Sequence, residues 1–329
     1  MYEIKHYSKQ EEKNPSKLKK ILRGLIFVFL ILFTLNVLIN SYLGKSAKNN
    51  NLFLSPISTV QKVIEKTSLL IKSQENSFPI EQIVKNILKE NTSDYSVYIK
   101  NLKTGERYYL NEDKQYETAS LYKLWVMAEA YRQIETGILK KEDILTANVS
   151  DLNQKFNIAS ESAELTEGNV SWPVETALRN MITISDNYSA LLLSSKIRLS
   201  NIALFLKNNG LLNSKVGTSD KSPFSNVKDM GLFFEKLYNQ ELANEQYTNE
   251  MLALLKNQQI NTKLSKYLPK NAVIGHKTGE FGKFSHDGGI IYQNNGDYII
   301  VIMSETNNQL TANEAIANIS REVYEYFSK

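Results

Sequence analysis

An α+β fold is predicted from the sequence: an antiparallel sheet flanked by terminal helices, beside an all-helical lobe, preceded by one N-terminal transmembrane helix. Three observations predict it. Strand-like runs rich in β-branched and aromatic residues occur at both ends of the region after residue 78. Helical spacing of apolar residues fills the stretch between them, and an uncharged apolar segment lies near the N-terminus.

The chain has 329 residues, 42% hydrophobic and 22% charged, which suits a globular protein with a packed core. A net charge of +4 is too small to define a nucleic-acid surface. Seven basic residues (Lys5, Lys9, Lys13, Lys17, Lys19, Lys20, Arg23) fall in a tail over residues 1–23. Next comes "GLIFVFLILFTLNVLINSYLG", residues 24–44, uncharged and long enough to cross a bilayer. Its basic flank predicts a cytoplasmic tail, a single-pass membrane anchor, and everything beyond Gly44 on the outer side. The rival reading is a cleaved signal peptide, because the most apolar part, Leu25 to Leu35, is short. Gly44-Lys45-Ser46 is a weak cleavage site, so the anchor is preferred; with cleavage the rest would be secreted. The absence of cysteine excludes disulfides, a thiol nucleophile, cysteine metal ligands and a lipoprotein anchor.

Residues 45–78 read as a stalk, polar at both ends around "STVQKVIEKTSLLIK". From Pro79, "PIEQIVKNILKE" places apolar residues at 80, 83, 84, 87 and 88, an amphipathic helix. "SDYSVYIKNL" and "ERYYLN" read as two strands joined by Lys103-Thr104-Gly105, where Gly105 supplies the turn. "SLYKLWVMAEAYRQIETG" predicts a long helix opened by Ser120 and closed by Gly137. Helices are expected at "VETALRNMIT", "YSALLLSSKI", "NIALFLKNNG", "VKDMGLFFEKLY" and 249–257. Strands return in "NAVIGHKTG", "HDGGIIYQ" and "DYIIVIMSE", and "ANEAIANISREVYEYF" predicts the last helix.

Three short motifs could carry chemistry. Ser120-Leu121-Tyr122-Lys123 puts a hydroxyl and an amine one turn apart on one helical face. A hydroxyl becomes nucleophilic when a base takes its proton, and an amine serves if held neutral. Lysine titrates near ~10.4 in water, so a fall of ~3 units, about 4 kcal/mol of local environment, is required. The same Ser-x-x-Lys spacing occurs at Ser16/Lys19 and Ser225/Lys228, so alone it means little. Ser185-Asp186-Asn187 would by itself be a helix cap. Lys277-Thr278-Gly279, ending a strand, would by itself be a solvated strand end.

Together, in that order and roughly 60 and 90 residues apart, at a helix start, an interhelical loop and a strand end, they differ from the decoys. The set resembles the class A beta-lactamase-like family of penicillin-recognising serine hydrolases over residues 79–329. The flanking text agrees: "LKTGERYYLN", "ALRNMITISDN" and "HKTGEFGKFSHDGGIIY". The resemblance implies that Ser120 is the acylated nucleophile and Lys123 its proton acceptor or part of the relay. It implies that Ser185 passes a proton to the leaving nitrogen, and that Asn187 holds the substrate amide. Lys277 and Thr278 would engage a substrate carboxylate, with Lys277 also helping to keep Lys123 neutral. The oxyanion would meet the backbone amides of Ser120 and of Glu280, the residue after Gly279. The implied substrates are beta-lactams or peptidoglycan-type D-alanyl peptides. A monomer without cofactor, metal or nucleic acid is expected.

The family's deacylating glutamate, on a loop after Ser-Asp-Asn, has no counterpart in "LLNSKVGTSDKSPFSNVKDM", residues 211–230, whose only carboxylates are Asp220 and Asp229. A positioned general base is worth ~10²–10⁴ in rate. Its lack favours a D,D-peptidase or slow penicillin-binding protein over an efficient lactamase; a non-catalytic envelope binding module is the remaining alternative. Other groups have bland readings. His276 should face away from Lys277 on its strand. His286-Asp287 precede a Gly-Gly bend, and Trp172-Pro173 start a helix. Glu161, Glu164 and Glu167 read as a solvated loop, with a substrate-facing role as the alternative.

Overall fold

The computed structural model describes residues 78–218 and 221–329. The expected tail, anchor and stalk, the Ser16/Lys19 decoy and Asp220 lie outside the described residues.

In chain order, α1 (Phe78–Leu88) leads to β1 (Tyr95–Asn101), β2 (Arg107–Leu110) and β3 (Tyr116–Glu117). A 3-10 turn, Ala119–Tyr122, passes into α2 (Lys123–Glu135). Then follow β4 (Ile144–Asn148), α3 (Val149–Lys155), β5 (Asn169–Pro173), α4 (Val174–Thr183), α5 (Asn187–Ile197) and α6 (Leu199–Asn208). β6 (Phe224–Ser225), α7 (Val227–Tyr238), α8 (Glu245–Lys256), β7 (Val273–Phe281), β8 (Phe284–Tyr292), β9 (Tyr298–Glu305) and α9 (Gln309–Phe327) complete the chain.

The main sheet is antiparallel, in the order β2-β1-β9-β8-β7. Its central strand shows why both faces must be covered. Along "YIIVIMSE" the side chains alternate between two cores: Ile299, Val301 and Met303 pack with the helical lobe, while Tyr298, Ile300 and Ile302 pack with α1 and α9. Each fully buried Ile or Val contributes about 1.5–3 kcal/mol, and a one-residue slip would exchange the two sets, so register is fixed. α1 turns Ile80, Val84 and Leu88 inward, as its spacing predicts. α9 offers Ala312, Ile316, Ile319 and Val323 to the same core.

The lobe is not purely helical. β4 pairs with β5, and β3 pairs with β6. Four local features also differ from expectation. Ser120 lies in the 3-10 turn, three residues before the α-helix begins at Lys123. A 3-10 turn eclipses i and i+3, so the shared face survives. Lys277-Thr278-Gly279 lie within β7, which runs on to Phe281. No bend follows Asp287, because Gly288 and Gly289 continue β8 in unbroken register. Close approach is what requires glycine there: a Cβ on Gly289 would lie 2.5 Å from the Gly275 carbonyl oxygen. Trp172-Pro173 close β5, and Pro173 is the N-cap of α4.

Candidate active site

The 3-10 turn, the α4–α5 loop and the edge strand β7 converge on one point. Ala119 and Ser185 both hold left-handed backbone, at φ 45° and 59°. Such strain in non-glycine residues costs of order 1–3 kcal/mol and persists only where surroundings enforce it. At Ser185 the enforcement is visible: Asp186 caps α5, accepting from the Ser189 amide at 2.6 Å. This is the structural role expected of Asp186.

Lys123, fully buried at the start of α2, donates to the Ser185 carbonyl at 2.5 Å and to Asn187 Oδ1 at 2.7 Å. Its Nζ is also 3.2 Å from Ser185 Oγ. Lys277, fully buried on β7, donates to the same Ser185 Oγ at 3.0 Å and to the Thr278 carbonyl at 2.8 Å. Two buried amines thus bracket one hydroxyl. Burial pulls Lys123 down to about 8, against the carboxylates of Asp186 and Glu164, which act to raise it. Burial holds Lys277 well below the ordinary lysine value; Lys123 and Lys263 push the same way and Asp287 opposes.

Three of the four expected catalytic side chains, those of Lys123, Ser185 and Lys277, therefore meet directly. Ser120 joins them through its backbone. A Cβ on Gly279 would lie 3.3 Å from the Ser120 nitrogen and 2.9 Å from the Thr118 carbonyl, so β7 can press on the 3-10 turn only as glycine. The Ser120 hydroxyl makes no hydrogen bond among the described residues. Phe281 and Phe284 pair across the two-residue Gly282-Lys283 turn, which sets the ladder's phase. Glu280 and Thr278 then fall at the pairs without mutual hydrogen bonds, with their amides on the open side of β7. The Glu280 amide and the Ser120 nitrogen can thus face one oxygen. Thr278 is buried beside Lys277.

The bland readings hold for several residues. His276 is buried against Asp287, its Nδ1 2.9 Å from the carboxylate. His286 donates from Nε2 to the Glu117 carbonyl at 2.8 Å and accepts the Ser304 amide on Nδ1 at 3.1 Å. Asp229, in the first turn of α7, accepts from the Asn213 amide at 2.8 Å and from Ser214 Oγ at 2.9 Å. It is committed to pinning the 211–230 segment. In the decoy pair, Ser225 bonds Ser214 while Lys228 pairs outside with Asp113 and Glu112.

Two participants escaped sequence reasoning. Buried Lys263, in the loop before β7, lies 3.0 Å from the Glu280 carboxylate and adds positive potential behind Lys277. Glu164 is not merely solvated, because it accepts from Asn187 Nδ2 at 2.6 Å. Nothing local marks Lys263; only the acidic cluster around Glu164 gave a signal. No cluster of His, Cys, Asp or Glu able to hold a metal occurs among the described residues.

An α+β hydrolase fold in which two buried lysines bracket a half-buried serine defines the class. The beta-lactamase enzyme family profile matches residues 79–327, and the chain belongs to that family. Among solved structures it is similar to PBP-A, at 22% identity over 75% of this chain and 95% of that one, TM-score 0.66. A mutant of PBP-A is known as its acyl-enzyme complex with penicillin G. A beta-lactamase from Sphaerobacter thermophilus superposes at TM-score 0.67, with 21% identity over 76% and 97% of the two chains. The TLA-3 extended-spectrum beta-lactamase does so at 0.68, with 17% identity over 77% and 100%. No curated protein sequence matches.

Proposed function

We propose that this chain is a serine acyl-transferase or hydrolase that opens amide bonds of beta-lactams or D-alanyl peptides through Ser120. The observation that carries the reading is Ser185 Oγ held at 3.2 and 3.0 Å by Lys123 and Lys277, both buried. Neutral Lys123 takes the Ser120 proton as Oγ bonds to the substrate carbonyl carbon. The amide C–N bond then breaks, and Ser185 delivers a proton to the leaving nitrogen, resupplied from Lys123. The Ser120 and Glu280 amides stabilise the oxyanion, each such donor being worth about 10²–10³ in rate. Lys277 and Thr278 hold a substrate carboxylate, with Lys263 reinforcing the local positive potential. Water attack on the ester frees the acid and restores Ser120.

A slow-releasing, penicillin-binding or D,D-peptidase character is favoured by one observation: Asp229 is already hydrogen-bonded three times. The described part of the 211–230 segment therefore offers no free carboxylate to activate water. PBP-A, a mutant of which is known as its acyl-enzyme complex with penicillin G, supports the penicillin-binding variant. The catalytic domain is proposed to face the outside of the cell membrane, on the anchor read at residues 24–44.

Intact mass spectrometry after benzylpenicillin treatment tests this. An adduct that Ser120→Ala abolishes is expected, together with slow nitrocefin turnover. Rapid turnover would make the protein an efficient lactamase, and no adduct with any beta-lactam or D-alanyl ester would overturn the acyl-enzyme reading.

A further inference from the structure

The loop between α3 and β5 carries a carboxylate into the centre from a direction that the three motifs do not share. Asn187 touches Lys123 through Oδ1 at 2.7 Å and Glu164 through Nδ2 at 2.6 Å. An ionised carboxylate only accepts hydrogen bonds, whereas the two ends of an asparagine amide differ. With Glu164 in place, Nδ2 must turn outward and Oδ1 must turn toward the lysine. A flipped amide would set NH2 against Lys123 and compete for the lone pair that receives the Ser120 proton.

Glu164 itself is exposed, so a mobile side chain alone could not hold that orientation. The backbone beside it is fastened. The Leu165 amide donates to the Tyr188 hydroxyl at 3.1 Å, and the Leu165 carbonyl lies 2.7 Å from the same hydroxyl. Asn153 Nδ2 donates to that carbonyl at 2.8 Å, and Tyr188 also reaches Asn153 Oδ1 at 3.0 Å. Tyr188 directly follows Asn187 and is buried. One helical turn thus fixes both the amide and the loop that aligns it.

We propose that Glu164 is a positioning residue, acting through Asn187 to keep the Asn187 carbonyl oxygen on Lys123. This rests on the acyl-transfer reading above. The charged groups facing Lys123 are Lys277 from β7, Asp186 from the α4–α5 loop and Glu164 from its own loop; Tyr122 also senses Glu164.

The test is the acylation rate of the full-length chain with a fluorescent penicillin, followed against pH, in Glu164→Gln, Glu164→Asp and Tyr188→Phe. Glu164→Gln removes the charge and can itself donate, so about a tenfold loss is expected, with the limb that requires neutral Lys123 moved to lower pH. Tyr188→Phe keeps the carboxylate but frees its loop, and should lose rate in the same direction. Glu164→Asp should recover part of it. Wild-type rate and pH profile in Glu164→Gln would overturn the proposal. The side-chain amide resonance of Asn187 gives a readout that needs no catalysis. It should titrate with a carboxylate in the wild type and cease to do so in Glu164→Gln; a flat titration in the wild type would overturn the contact. If the wild type takes no label, the acyl-transfer reading falls, while the amide titration still decides whether Glu164 orients Asn187.

Discussion

Lys103-Thr104-Gly105 and Lys277-Thr278-Gly279 are the same three residues in two different physical situations. The first is exposed on the β1–β2 turn, where Asn101 Oδ1 accepts from the amides of Lys103 and Thr104, both at 2.9 Å. Its lysine lies in water, and its glycine is needed for conformation, at φ 75° with nothing within 4 Å of a notional Cβ. The second copy is buried, and its lysine is kept from its ordinary protonation by the surrounding protein. Its glycine is needed for space, not conformation, because Thr118 and Ser120 occupy where a Cβ would go. A motif's chemistry is therefore decided by what its neighbours take away: water, volume and counter-charge.

The sharpest break between the copies is expected from the lysines. Lys277→Ala should slow acylation by a fluorescent penicillin by about 10²–10⁴, the scale of a positioned proton-transfer group. Lys103→Ala should leave the labelling rate unchanged.

The next effect concerns β8, which ties the second copy's strand to the segment before Ser120. Burial lowers the His286 imidazole to about 4. The native state refuses a proton that the unfolded chain accepts below about 6.5. Stability is therefore fully present above that value and declines as pH falls toward 4, by up to about 3 kcal/mol. Urea midpoints of the wild type and His286→Gln across this window check it, since the variant should lose that part of the slope.

The glycines separate function from stability. Gly279→Ala should displace the 3-10 turn and reduce labelling by about 10², the scale of an ångström-sized misplacement. Gly105→Ala should cost about 1–2 kcal/mol of stability through its left-handed backbone and leave labelling intact. A calorimetric scan and a labelling assay on both proteins would reveal any crossover. Smallest is Asn101→Ala, expected to cost about 0.5–1.5 kcal/mol by freeing two turn amides, with no kinetic change.

Much of this was legible before any coordinates. The apolar run "YIIVIM" reads as a strand, and α1 and α9 supply the cover expected of the terminal helices on one of its faces. The three motifs named the side chains that meet at Ser185. The 3-10 start at Ser120 was hidden, because the strain that bends it resides in Ala119, a residue with no preference for left-handed backbone. Lys263 and Glu164 were hidden for another reason. Each reaches the site through a tertiary contact with a motif residue far along the chain, 17 positions away for Lys263–Glu280 and 23 for Glu164–Asn187, and no fixed spacing links them to it.

Ile300 and Val301 are adjacent, yet one sinks into each hydrophobic mass. Whatever loosens the packing beneath the C-terminal helix must disturb the same ribbon that backs the lysine-bearing edge. The sheet's two sides should consequently melt as one thermodynamic body, so a lesion far from Ser120, such as Ile316→Ala, would be paid for in heat tolerance throughout.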